Sequence, residues 1–184
     1  MKVIAWVLLA VLAAAAVKTM FFSFRAQKPQ DYAGQGPAFV LTEHLSGRMV
    51  SEGVIYGPTG RVESRFVATM VGEWTGNTGT LSEEFSYAGG RTQSRKWHLT
   101  LGEGNRFTAT AADIEGVAEG EVSGPTLSMQ YVITLPEDAG GHRLAVTDWL
   151  YLTQDGVILN RSQMRKFGLT VAELVATMRP APAQ

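Results

Sequence analysis

From Leu45 onward, apolar and polar residues alternate. In "RVESRFVATMVGEW" Val62, Phe66, Ala68, Met70 and Trp74 share one parity; "TLSEEFSY" groups Leu81, Phe85 and Tyr87; "LSMQYVITL" groups Leu127, Met129, Tyr131, Ile133 and Leu135. A period of two sends successive side chains to opposite faces of an extended chain, so each segment predicts a strand with one face on a core. Between these segments stand "YGPTGR", "WTGNTG", "YAGGR", "GEGN", "SGPT", "EDAGGH" and "TQDG", turn sequences whose glycines suit tight hairpins. Nine or ten strands are predicted between about Leu45 and Met178. "GLTVAELVATM" fits a closing strand or a short helix and is read as a strand. Alternation alone suits a barrel or a sandwich. Short regular hairpins favour an all-β, antiparallel up-and-down barrel, and closure removes the exposed edges an open meander would leave.

The amino terminus breaks this rhythm. Val3 to Val17 is an unbroken apolar run, continued past Lys18 by Met20, Phe21, Phe22 and Phe24. As an uncleaved anchor, Val3–Phe24 is long enough for the ~20 residues that span hydrocarbon. Lys18 would then snorkel, with the Phe cluster and Arg25 at the interface. As a secretory leader, the small residues of Ala13–Ala16 would supply a cleavage position. The aromatic and basic flank favours the anchor, because a cleaved leader has no use for an interfacial belt. Residues 1–25 are therefore expected to be a signal anchor, 26–37 a Gly-, Pro- and Gln-rich linker, 38–179 the barrel domain and 180–184 a tail.

Charge sharpens this division. Lys2, Lys18, Arg25 and Lys28 are the only charged residues among the first 30, which leaves 12 basic against 17 acidic residues in the rest. A folded part at −5 argues against nucleic-acid binding, which needs a basic surface to displace counterions. Cysteine is absent, removing disulfides, thiolate nucleophiles and Cys-based metal sites.

Parity also places charges inside. If Phe85 and Tyr87 face inward, so does Glu83; Arg95 shares a face with Trp97, Leu99 and Leu101, Asp113 with Phe107, Ala109 and Ala111, and Asp148 with Val146, Leu150 and Leu152. Glu83, Arg95, Trp97, Asp113, Tyr131 and Asp148 are thus the candidate interior network. Buried charges must be paired. Arg95 either bridges strands within a satisfied structural network, or helps orient the polar end of a small hydrophobic or amphipathic ligand in the barrel. A catalytic carboxylate pair is a third reading with little behind it. There is no G-x-S-x-G elbow, Walker loop or H-E-x-x-H, and His44, His98 and His142 are scattered, so no catalytic residue, metal ligand or cofactor is assigned.

"NRSQMRKFG" alternates Arg161, Gln163 and Arg165 against Asn160, Ser162, Met164 and Lys166, which reads as a late strand with an incidental Asn-x-Ser sequon. With "YGPTGRVESRF", "GEW", "LSEEFSY", "SRKW", "ADIEGVAEG", "YVITLP" and "DWLYL" in this order, the chain resembles an uncharacterised proteobacterial family of lipocalin-like domains of unknown function. The resemblance runs from about Gly36 to Met178. It implies a lipocalin-like barrel at the bacterial envelope, on the periplasmic side of the inner membrane. Many relatives look like lipoproteins; without cysteine, this chain's tether would be its own apolar segment. A ligand carrier is one expectation, and a filled barrel serving envelope assembly is the other.

Overall fold

The computed structural model describes residues 2–182, apart from the side chains at positions 16, 19 and 20. Ten strands follow one another: β1 (Gly47–Tyr56), β2 (Val62–Thr75), β3 (Thr78–Tyr87), β4 (Thr92–Leu101), β5 (Arg106–Thr110), β6 (Ala118–Ser123), β7 (Thr126–Thr134), β8 (Arg143–Leu152), β9 (Ile158–Lys166) and β10 (Leu169–Pro180). Each pairs antiparallel with its neighbours in sequence, and β10 returns to β1, from Met49 opposite Pro180 to Tyr56 opposite Glu173. The result is a closed all-β barrel with no free edge. "GLTVAELVATM" is the closing strand, and its extended form supplies backbone partners to both β9 and β1.

Alternation survives folding where the strands are regular. In β2, Phe66, Ala68 and Met70 are buried while Val67 and Val71 are exposed. Val62 departs from the expectation that placed it with them: it is exposed, because the β1–β2 register slips between Ile55, opposite Ser64, and Tyr56, opposite Val62. A bulge of this kind breaks parity for everything beyond it.

The two barrel ends differ. One carries the β2–β3, β4–β5, β6–β7 and β8–β9 turns and is closed by the chain entering β1. There α2 (Leu41–His44) brings Leu41 and Leu45, with Phe39 before them, into one buried cluster with Met70, Leu81, Leu99, Phe107, Leu127 and Leu150. The Trp74 indole donates to the Leu45 carbonyl at 3.0 Å. The plug sits so close to β2 that a Cβ on Gly72 would lie 1.9 Å from that same carbonyl oxygen, so only glycine admits it.

The stretch 26–37, expected as a linker, packs against the outside of the barrel wall. Tyr32 lies 5.4 Å from the Trp149 ring, and Gln27 Oε1 accepts from the hydroxyls of Tyr32 at 2.5 Å and Tyr151 at 2.7 Å. This cover explains why Trp149, on the outward parity of β8, is only 3% exposed. The expected tail, 180–184, begins within β10, and its last two residues lie outside the described part.

At the amino terminus α1 (Lys2–Phe21) is a helix whose Ile4, Trp6, Leu8, Leu9 and Leu12 are exposed. Among the described residues no helix is long and apolar enough to cross a membrane, and α1 contains the positions whose side chains are not described.

Candidate functional site

The other end of the barrel, carrying the β1–β2, β3–β4, β5–β6, β7–β8 and β9–β10 connections, is not plugged. Inward residues in the plugged half, such as Leu81, Leu99, Phe107 and Leu127, are buried, whereas Ile55, Phe85, Tyr87, Met164 and Leu174 also point inward and remain half-exposed. Inward-facing and yet accessible means lining a void. That void is a cavity of about 390 Å³, with Leu45 among its lining and Glu63, Ser64, Arg91, Gln93, Pro136, Ala139 and Ala172 around its open end. A volume of this size lies within the range of small-molecule sites, about 300–1,000 Å³.

At mid-depth the wall turns polar. Glu83 and Arg95 stand directly opposite each other on β3 and β4, with Arg95 Nη1 at 3.8 Å from Glu83 Oε2. The stronger bond of Arg95 is to Asp113: Nε donates at 2.9 Å and Nη2 at 2.7 Å to the same carboxylate oxygen. Asp113 reaches it from the β5–β6 connection, not from a strand position as parity had suggested. An isolated bridge between Ile114 and Ile133 and the bond from Thr134 N–H to the Asp113 carbonyl hold that connection against β7. Trp97 is buried beside this group, with its ring edge-on to Tyr131 at 5.4 Å.

Across the barrel, Asp148 on β8 is directly opposite Ser162 on β9. Its carboxylate accepts from Ser162 Oγ at 2.6 Å and Asn160 Nδ2 at 2.5 Å, and from the Tyr131 hydroxyl at 3.5 Å. Asn160 and Ser162 were not singled out by sequence reasoning as site residues. Their signal was present: they share parity with the inward Met164 in "NRSQMRKFG". Arg165 lies on the outward parity of β9 with its Nε buried and unpartnered. Arg25 nearby holds its guanidinium below its usual pKa, after burial as the larger cause.

Burial decides the electrostatics of the belt. Glu83 has lost its water and is pushed up to about 7, because desolvation outweighs the stabilising Arg95 charge. Asp148 is raised by burial too, even against its hydrogen bonds from Ser162 and Asn160. The Tyr131 phenol is held far above its usual range, by burial and then by the Asp148 charge. Arg95, with carboxylates around it, stays charged. One oxygen, Glu83 Oε2, is buried with no hydrogen-bond partner. Among the described residues, no group of three or more His, Asp or Glu side chains is placed to hold a metal ion.

A ten-stranded closed barrel with a half-filled interior is a lipocalin-like frame, and the sequence agrees. Residues 18–180 match the model of the family described as Protein of unknown function (DUF3833). The chain belongs to that family. No curated protein matches this DUF3833 chain significantly. Solved structures that share its fold include an S-type phycobiliprotein lyase, CPES, from Guillardia theta, with a TM-score of 0.59 at 10% identity over 78% of this chain and 92% of that one. They also include Rv2717c from M. tuberculosis, with a TM-score of 0.56 at 17% identity over 80% of this chain and 99% of that one. At such identities the likeness is one of fold.

Proposed function

We propose that this DUF3833 protein binds a small hydrophobic or amphipathic molecule in the open half of its barrel and holds it at the bacterial envelope. The observation that carries this reading is a barrel plugged at one end only, whose interior holds a cavity of about 390 Å³ running from Leu45 of the plug, past Glu83 and Arg95, to the open end. A barrel serving only as a scaffold would gain stability by filling that space, since voids forfeit packing energy. Phe66, Phe85, Tyr87 and Leu174 would cover the apolar part of the ligand, each Å² removed from water contributing about 25 cal/mol. Glu83, Arg95, Trp97, Asp113, Tyr131 and Asp148 would face its polar end. The phycobiliprotein lyase lends an example of the frame and says nothing of the substrate here.

Binding is tested with the full chain in lipid nanodiscs and N-phenyl-1-naphthylamine, a neutral lipophilic fluorophore. Ala172, half-buried on β10 at the open end, is the position to block. Wild type should give saturable emission above that of Ala172→Trp, which serves as the blank for partition into lipid and should bind at least tenfold more weakly. Equal signals from the two would defeat the reading.

The tether is proposed to be residues 1–25, uncleaved in the inner membrane with the barrel on the periplasmic side. It is supported by the exposed apolar side chains of α1, by Arg25 at its end and by the resemblance to envelope proteins. After alkaline carbonate extraction of bacterial membranes, the full-length chain should stay in the pellet and be degraded by protease in spheroplasts. Release of a chain shortened by about 15 residues, cut within or just after Ala13–Ala16, would show a leader instead.

A further inference from the structure

The polar belt is short of positive charge. Three carboxylates, Glu83, Asp113 and Asp148, face one guanidinium, Arg95. Arg95 is already committed: two of its N–H groups are spent on Asp113, and a third points to Glu83 across 3.8 Å. A ligand carboxylate or phosphate entering the cavity would have to share that one guanidinium with Asp113 and Glu83, and would meet the negative charge of the belt. Asp148 is supplied by Ser162, Asn160 and Tyr131. What stands open is an acceptor. Glu83 is 7% exposed, lines the cavity, and keeps Oε2 without a partner. Around the same void stand Phe66, Phe85 and Tyr87, whose ring centroids lie 5.4 to 6.2 Å from one another, with Trp97 and Tyr131 near the belt. The first three line the side toward the open end, where an apolar tail would lie.

Resting on the ligand-binding reading of this cavity, we propose that its ligand is an amphipathic cation, an ammonium-type head on an apolar tail, with the head against Glu83 Oε2 and the tail toward the open end. A buried carboxylate whose desolvation outweighs the charge of its one shared cation keeps its proton unusually tightly, as Glu83 does at about 7. A cation beside it would draw that pKa down. Binding near neutral pH therefore releases a proton from Glu83, and affinity rises with pH between about 6 and 8, where an alkylammonium, with a pKa near that of lysine, about 10.4, stays charged. The other ionisable groups facing Glu83 are Arg95, Asp113, Asp148 and Tyr131, and at the open end Glu63 and Arg91. Arg91 sits over the Tyr87 ring at 4.1 Å, away from the belt.

The test is displacement of N-phenyl-1-naphthylamine from the full chain in zwitterionic nanodiscs by decylamine, decanol and decanoate, compared at equal free concentration. Decylamine should displace the probe at a concentration at least tenfold below that of decanoate, and in Glu83→Gln the gap should shrink to less than threefold. Decanoate matching decylamine, or a gap untouched in Glu83→Gln, would overturn the cation while probe binding leaves the cavity reading intact. Failure of the probe itself to bind would overturn both. Should Glu83→Gln not fold, the pH series on wild type decides: a decylamine preference growing from pH 6 to 8 supports the proposal, and a flat one overturns it.

Discussion

Replacing Arg95 with Met should lower the stability of the barrel by about 3–5 kcal/mol, the usual cost of leaving a buried charge without its partner. Met keeps much of the aliphatic stem, so the loss isolates the guanidinium. Asp113 then gives up the bonds it accepts at 2.7 and 2.9 Å, and Glu83 loses the one charge that lowers its pKa substantially. Asp113 is also the anchor of the β5–β6 connection, so its release loosens a loop as well as a contact. For a chain of this length the expected fall in Tm is about 10 °C, at roughly 2–4 °C per kcal/mol. Urea unfolding followed by tryptophan fluorescence measures it directly. The loss should be smaller at pH 5 than at pH 8, because protonation neutralises Glu83, whose raised pKa rises further without Arg95. A change below 1 kcal/mol at both pH values would mean that Arg95 is not the hub of the belt.

How far such a hub could be read from sequence depends on the element each residue occupies. Glu83, Arg95, Tyr131 and Asp148 lie in regular strands, where a period of two leaves side-chain direction no freedom, and counting from Phe85, Trp97, Met129 or Leu150 is enough to place them. Asp113 was named on the same count although it sits beyond the end of β5, and it reaches Arg95 through the path of a connection that parity does not describe. Val62 failed for the complementary reason, a slip of register at the β1–β2 bulge. The half-empty interior was not legible at all. Strand alternation fills both halves of the barrel with the same kinds of residue, and only the plug of Phe39, Leu41 and Leu45 at one end makes them different. That plug depends on Gly72, which in the sequence is one glycine among 20.

Between pH 4.5 and 8, the stability of Glu83→Gln relative to wild type should rise by about 3 kcal/mol. The folded protein holds the Glu83 proton up to about pH 7, whereas the unfolded chain releases it near 4.5. Below 4.5 the group is protonated in both states and its contribution is fully present. As pH climbs toward 7 the unfolded state ionises first, and wild-type stability falls by about 1.4 kcal/mol per pH unit, levelling off once the folded state has ionised too. Asp148, raised likewise, contributes a fall of the same sign beginning from its ordinary 3.8. Glu173, whose pKa Arg161 and Gln163 hold below its ordinary value, works in the opposite direction on the outer wall. Glutamine cannot ionise, so Glu83→Gln keeps the Asp148 slope and loses its own. Urea unfolding of both proteins at pH 4.5, 6 and 8 separates the two contributions, and parallel profiles would remove Glu83 from the account. The barrel thus gives up neutral-pH stability to an ionised carboxylate whose one cation, Arg95, is shared with Asp113. A glutamine would fill the same volume without that loss, and a positively charged ligand beside Glu83 would give the glutamate a use, beyond its pairing with Arg95, that glutamine lacks.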